Sequence, residues 1–156
     1  MIILSIDPGV ERVGYAILEK DSRTKAINCL HSGLVLTDKT LTREKRFVII
    51  YDRVSKLIDQ YRPDCLVIEE LFYSKNVKTA IAVAQAQGLL YLAAAAHSIS
   101  LHSLPPNTIK MRVTGYGNAD KLAIKKMVDL QMKLTKKKRI DDEYDAIACG
   151  MAYLLG

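Results

Sequence analysis

The chain has 156 residues, 49% of them apolar and 26% charged. That fits one ordinary globular domain over residues 1–156 and excludes collagen-like, disordered and disulfide-scaffold classes. The formal charge of +6 is unevenly spread, with ten Lys/Arg against two Asp between Asn107 and Arg139. A basic segment on a slightly acidic remainder points to a polyanion held on one face.

Cys29, Cys65 and Cys149 are far apart and outside any C-x-x-C pattern. They read as buried thiols of a reducing compartment, with no zinc signature. The amino terminus opens on Met-Ile-Ile-Leu-Ser-Ile without a basic leader, so a cytoplasmic protein is expected. Ala80–Ile99 is uncharged and about as long as a membrane span, but Ala, Gln85, Gln87 and Gly88 dominate it. Weakly apolar Ala and two glutamines drive bilayer insertion poorly, so a buried helix and no membrane association are expected.

In chain order, Ile2–Asp7 is an apolar strand that stops at Pro8-Gly9. Val13–Glu19 and Ala26–Leu36, the latter with an irregularity at Gly33, complete an antiparallel meander. Thr42–Tyr61 carries a helical stripe at Phe47, Ile50, Tyr51, Val54, Leu57 and Ile58, and Arg62-Pro63 ends it. A short strand at Cys65–Glu69, a charge-poor helix over Asn76–His97 and a strand at Ile99–Leu104 follow. After Pro105-Pro106 come helices near Thr108–Val113 and Asp120–Lys133, and a last one from Asp141 or Asp142 to Leu155. Three strands followed by alternating helix and strand predict an α/β fold: a mixed five-stranded sheet with helices on both faces.

On that scaffold Asp7 closes the first strand and Glu69 the fourth, while Asp142 and Asp145 share a face at the head of the last helix. If the first and fourth strands are neighbours, Asp7 and Glu69 lie side by side. Separately, each acid has an ordinary explanation as turn former, strand end or helix-dipole partner. Converging carboxylates repel unless hard cations such as Mg²⁺ relieve them. Two such ions roughly 4 Å apart can activate water for phosphodiester hydrolysis.

The ordered set Ile6-Asp7-Pro8-Gly9, Gly14-Tyr15, Ile68-Glu69-Glu70-Leu71-Phe72 and Lys75-Asn76 resembles the RuvC family of Holliday-junction resolvases. The resemblance continues through Ala84-Gln85-Ala86-Gln87-Gly88, Lys110, Gly115-Tyr116-Gly117, Lys121 and Asp142-x-x-Asp145-Ala146. It implies a ribonuclease-H-like fold, a homodimer, and nicking of two opposed strands of a four-way DNA junction. It further implies Mg²⁺ as cofactor, two ions per site with Mn²⁺ able to substitute, and work beside a branch-migration helicase. Carried over position by position, Asp7, Glu69, Asp142 and Asp145 are the metal-binding catalytic carboxylates. Lys121 and Lys110 fall near the scissile phosphate, and Phe72 is the stacking aromatic.

An ammonium at the scissile phosphate stabilises charge developing on its oxygens. Lys75, Lys125, Lys126, Lys136, Lys137, Lys138 and Arg139 are expected to grip DNA phosphates without reading sequence. Phe72 in a loop after Glu69 can stack on an unpaired base. His31, His97 and His102 match no catalytic position. The helix Val77–Ala96 is apolar nearly all round, which calls for cover on more than one side, and a second subunit is a natural one. The competing functions are a ribonuclease-H-like enzyme acting on RNA and a catalytically silent junction-binding protein. An actin-like ATPase is excluded by length.

Overall fold

A computed structural model describes residues 1–71, 77–132, 134 and 139–156. Its elements are β1 (Ile2–Asp7), β2 (Arg12–Lys20), β3 (Ile27–Leu36), α1 (Arg43–Tyr61), β4 (Cys65–Glu69), α2 (Val77–Ala96), β5 (Ser100–Leu104), α3 (Pro106–Thr114), α4 (Lys121–Met132) and α5 (Asp141–Leu155). The five strands form one sheet in the order β3-β2-β1-β4-β5. The first three strands pair antiparallel, while β4 and β5 run parallel to β1.

The pleat decides which helices cover which face, because successive side chains point to opposite sides. Leu4, Ile6, Ile17, Leu66 and Ile68 pack with Ile50, Val54 and Ile58 of α1 and Leu90, Ala93 and Ala94 of α2. Ile3, Ala16, Leu18, Cys65 and Val67 pack with α3, α4 and α5. β1 is central and buried on both sides, which is why its sequence is a continuous apolar run rather than an alternation.

Small residues let α5 lie close to the sheet. A β-carbon added at Gly150 would stand 2.5 Å from the Ser5 hydroxyl, so only glycine fits there. The helix ends behave as their residues dictate. Arg62 turns left-handed at φ 45° and its N–H donates to the Ile58 carbonyl, closing α1 before Pro63. Asp120 accepts the Ala123 N–H at 2.8 Å and caps the start of α4.

One expectation about the strands is corrected. The irregularity in β3 is at Leu30, left unpaired between Cys29 and His31, while Gly33 stays in register with Tyr15. Gly33 has another use: the Tyr15 ring lies where its β-carbon would be. In α2, burial within the chain is one-sided. Ala86, Leu90, Ala93 and Ala94 face inward, while Ile81, Tyr91 and Leu92 are exposed. Cys65 and Cys149 are buried as expected, whereas Cys29 is half-buried. Among the described residues no helix is long and apolar enough to cross a membrane.

Candidate active site

The parallel pairing of β1 with β4 runs from Ile3↔Cys65 to Ile6↔Ile68, so Asp7 and Glu69 end adjacent strands at the same level. Pleat alternation puts both on the face of Ile3, Ser5, Cys65 and Val67, the face covered by α5. There α5 begins with Asp141, Asp142 and Glu143, and Asp145 follows one turn on. Four carboxylates from three remote parts of the chain therefore meet at one sheet end. The Gln87 side chain holds the end of β4 by donating to the Glu69 carbonyl at 2.9 Å.

Their electrostatics are those of crowded like charge. Burial, then Asp145, Glu69 and Asp142, push the Asp7 carboxyl up to about 7, against a smaller opposing pull from Lys121. Glu69 is raised by burial and Asp145, with Lys121 and Lys110 acting the other way. The Cys149 thiol beneath them is pushed well up by burial, then by Glu69 and Asp7. It stays protonated and contributes no nucleophile.

Two of the acids are held by cations. Lys121 Nζ lies 3.0 Å from Asp145 Oδ2, and this bond raises the lysine's own pKa. Arg12 Nε lies 3.2 Å from Asp142 Oδ2. Glu69, Asp145, Lys110 and Lys121 line a cleft of about 410 Å³ floored by Ile109, Ile124 and Ala148. In this geometry no three His, Cys, Asp or Glu side chains among the described residues already form a metal cage. Asp142 and Asp145 are instead paired with Arg12 and Lys121. The donor chemistry nonetheless fits a hard divalent ion, since all four side chains offer only oxygen and two are raised by burial first and by neighbouring acids second.

The other expected residues divide. Lys110 and Lys121 border the acids. Lys126 is exposed on α4, and Lys125 sits 4.7 Å over the Tyr144 ring. Arg139, expected to grip a phosphate, has a side chain only 7% exposed that pairs with buried Glu143 at 3.2 Å. A guanidinium committed inward is a strut for the α5 start rather than a grip on DNA. Phe72, Tyr73, Lys75, Lys133, Lys136, Lys137 and Lys138 lie outside the described residues.

Residues that the sequence reading passed over also shape the site. Glu143 accepts the Ser32 hydroxyl at 2.6 Å, tying α5 to β3. Arg12, Arg43 and Arg46 line a second groove that Asp142 borders. The available signals were Arg12 just after the Pro-Gly turn and an acidic residue in the first turn of α5.

Residues 3–153 match the family model described as crossover junction endodeoxyribonuclease RuvC. The chain belongs to the RuvC family. It is 43% identical to the RuvC protein of Thermosipho melanesiensis over 148 residues, covering 95% of this chain and 93% of that protein. It is 40% identical to that of Fusobacterium nucleatum over 154 residues, covering 99% and 80%. The solved structure of T. thermophilus RuvC in complex with Holliday junction substrate superposes with a TM-score of 0.90 at 25% identity, covering 97% of this chain and 92% of that one. The fold of the RuvC family is therefore the fold of this chain.

Proposed function

We propose that the chain is one nuclease domain, residues 1–156, that resolves four-way DNA junctions in recombination and repair. It nicks two opposed strands symmetrically and leaves 5′-phosphate and 3′-hydroxyl ends. The observation that carries this reading is the meeting of Asp7, Glu69, Asp142 and Asp145, with Asp7 pushed up to about 7 by burial and the other three acids. A protein that only bound DNA gains nothing from such a cluster, because carboxylates beside phosphates repel them.

Asp7, Glu69, Asp142 and Asp145 would hold Mg²⁺, two ions per site, with Mn²⁺ able to substitute. Bound there, the ions would supply an activated water and stabilise the leaving oxygen. The chain's own groups do the rest. Lys110 and Lys121, on one wall of the cleft, place ammonium charge where the phosphoryl oxygens lie. Ile109, Ile124 and Ala148 line the same cleft and give it an apolar part beside the two lysines. Lys126 and the basic segment beyond α4 hold backbone phosphates.

A homodimer completes the function, since symmetric nicking needs two sites related by a two-fold axis. The exposed Ile81, Tyr91 and Leu92 of α2 supply an apolar surface for the second copy. Work beside a branch-migration helicase and a cytoplasmic location belong to the same reading and rest on family membership.

The test is a cleavage assay on a synthetic immobile four-way junction, with and without Mg²⁺, beside duplex DNA and structured RNA. Paired nicks in the junction only with the metal support the reading. Preference for RNA overturns it in favour of the related ribonuclease, and binding without nicks in favour of a silent junction binder.

A further inference from the structure

The row of acids separates two cation-lined clefts. On one side lie Lys110 and Lys121 with Glu69 and Asp145. On the other, Asp142 borders a groove of about 440 Å³ walled by Gly9, Val10, Glu11, Arg12, Arg43, Arg46, Ala82 and Val83. Of its two acids, Asp142 is already paired with Arg12, and Arg43 and Arg46 line the same groove.

Arg46 is held in place from behind. Its Nε donates to the Thr37 hydroxyl at 2.9 Å, and that hydroxyl donates to the Val10 carbonyl. Thr37 is buried, so the guanidinium is anchored to the β1–β2 turn and the end of β3. Its Nη2 is buried with no hydrogen-bond partner among the described residues. A planar fork fixed through Nε by Thr37 still lines the groove, where its charge suits a phosphate. Arg43 is exposed and donates to the Gln85 side chain at 3.1 Å.

We infer that the Arg43–Arg46 groove seats a phosphodiester of the substrate strand that flanks the scissile one. A strand crossing the acids is then held on both sides, by lysines in one cleft and arginines in the other. Ala82 and Val83 offer no side chain that could read a base there, so the grip fixes position without sequence preference. The inference rests on the junction-nuclease reading, and the test separates the two.

The test measures binding of full-length protein to a synthetic four-way junction without divalent metal, replacing single phosphates in turn by uncharged methylphosphonates. In the unaltered protein, one position beside the scissile phosphate should weaken binding about tenfold when neutralised. In Arg46→Gln that position should become silent, with Arg46→Lys recovering part of the sensitivity. The salt slope of log K should fall by about 0.9 in the variant, the loss of one phosphate contact. Lys56→Gln, exposed on α1 away from both clefts, should match the unaltered protein. If Arg46→Gln melts at a much lower temperature, exposed Arg43→Gln carries the same comparison. Identical interference profiles in variant and unaltered protein overturn the groove while leaving the nuclease reading intact. Failure of the unaltered protein to bind or nick the junction overturns both.

Discussion

Gly14 of β2 lies against the backbone of Asp142: a β-carbon there would stand 1.9 Å from the Asp142 carbonyl oxygen and 3.2 Å from the Glu143 nitrogen. The start of α5, and with it two of the four acids, is therefore located by the absence of a side chain in a strand that contributes no acid. Gly14→Ala must push α5 outward. Overpacking of this kind costs about 1–3 kcal/mol, and misplacing reacting groups by about 1 Å can cost on the order of 10²-fold in rate. Thermal melting and junction cleavage should both suffer, with cleavage falling further than the loss of folded protein explains. Gly88→Ala, where nothing lies within 4 Å, should leave the melting temperature unchanged or slightly raised. Full cleavage by Gly14→Ala would mean that α5 need not sit this close.

The raised carboxyl of Asp7 gives stability a defined dependence on pH in metal-free protein. Its pKa is 3.8 when unperturbed and about 7 in the fold, so between these values the folded state holds the extra proton. Stability contributed by that proton is full below about 4 and lost as pH rises through about 7. Asp7→Asn removes the loss. At pH 8 the variant should be more stable than the unaltered protein by roughly 1–4 kcal/mol, and near pH 4 the two should converge. Cleavage should be abolished while junction binding persists. Melting curves across pH in the presence of a chelator check the first statement, and a variant less stable at pH 8 contradicts it.

Much of this architecture was legible in the sequence because its signals were local. The apolar run before Asp7, the periodicity before Pro63 and the uncharged stretch after Thr79 each name one element. Asp7 and Glu69 stood out because each closes such a strand, and Asp142 and Asp145 because they share a face at the head of the last helix. What escaped depends on approach between distant segments. Nothing in the sequence around Gly14 indicates that the Asp142 carbonyl will fill the space of its missing side chain. Arg139 stands in a basic run and reads as a surface cation, yet Glu143 one helical turn later takes it inward. Nothing in the sequence around Arg46 shows that Thr37, nine residues earlier, fixes its orientation. The bulge at Leu30 follows from pairing with β2, and no turn residue marks it.

Glu143 and Arg139 form a pair whose side chains are only 4% and 7% exposed, with Ser32 hydrogen-bonded to the same Glu143 oxygen. Breaking a buried pair by removing one partner leaves an uncompensated charge and costs about 3–5 kcal/mol. Glu143→Ala and Arg139→Ala should each lower the melting temperature strongly, while the double variant loses much less than the two losses added together. Ser32→Ala should cost less, about 1–2 kcal/mol. Denaturant titration of the four proteins provides the cycle. Additive losses would show that the two residues act independently, and Arg139 would return to the set of surface cations.

Lys121 is exposed for most of its length and yet tied to Asp145 at 3.0 Å, with its pKa raised chiefly by that bond. The ammonium is therefore charged throughout the pH range of any cleavage assay, so it cannot serve as a base and acts through its charge. In the absence of substrate that charge neutralises Asp145; with a phosphate in the cleft it can turn to the phosphoryl oxygens, whose charge grows as the bond breaks. Interactions that strengthen in the transition state appear in the rate more than in binding. Lys121→Gln should thus cut single-turnover cleavage about 10²–10³-fold while weakening junction binding only severalfold. Lys126→Gln, exposed on the same helix, should do the reverse, with weaker binding and an unchanged rate at saturating protein. Equal losses of binding and rate in both variants would reduce Lys121 to one more phosphate contact.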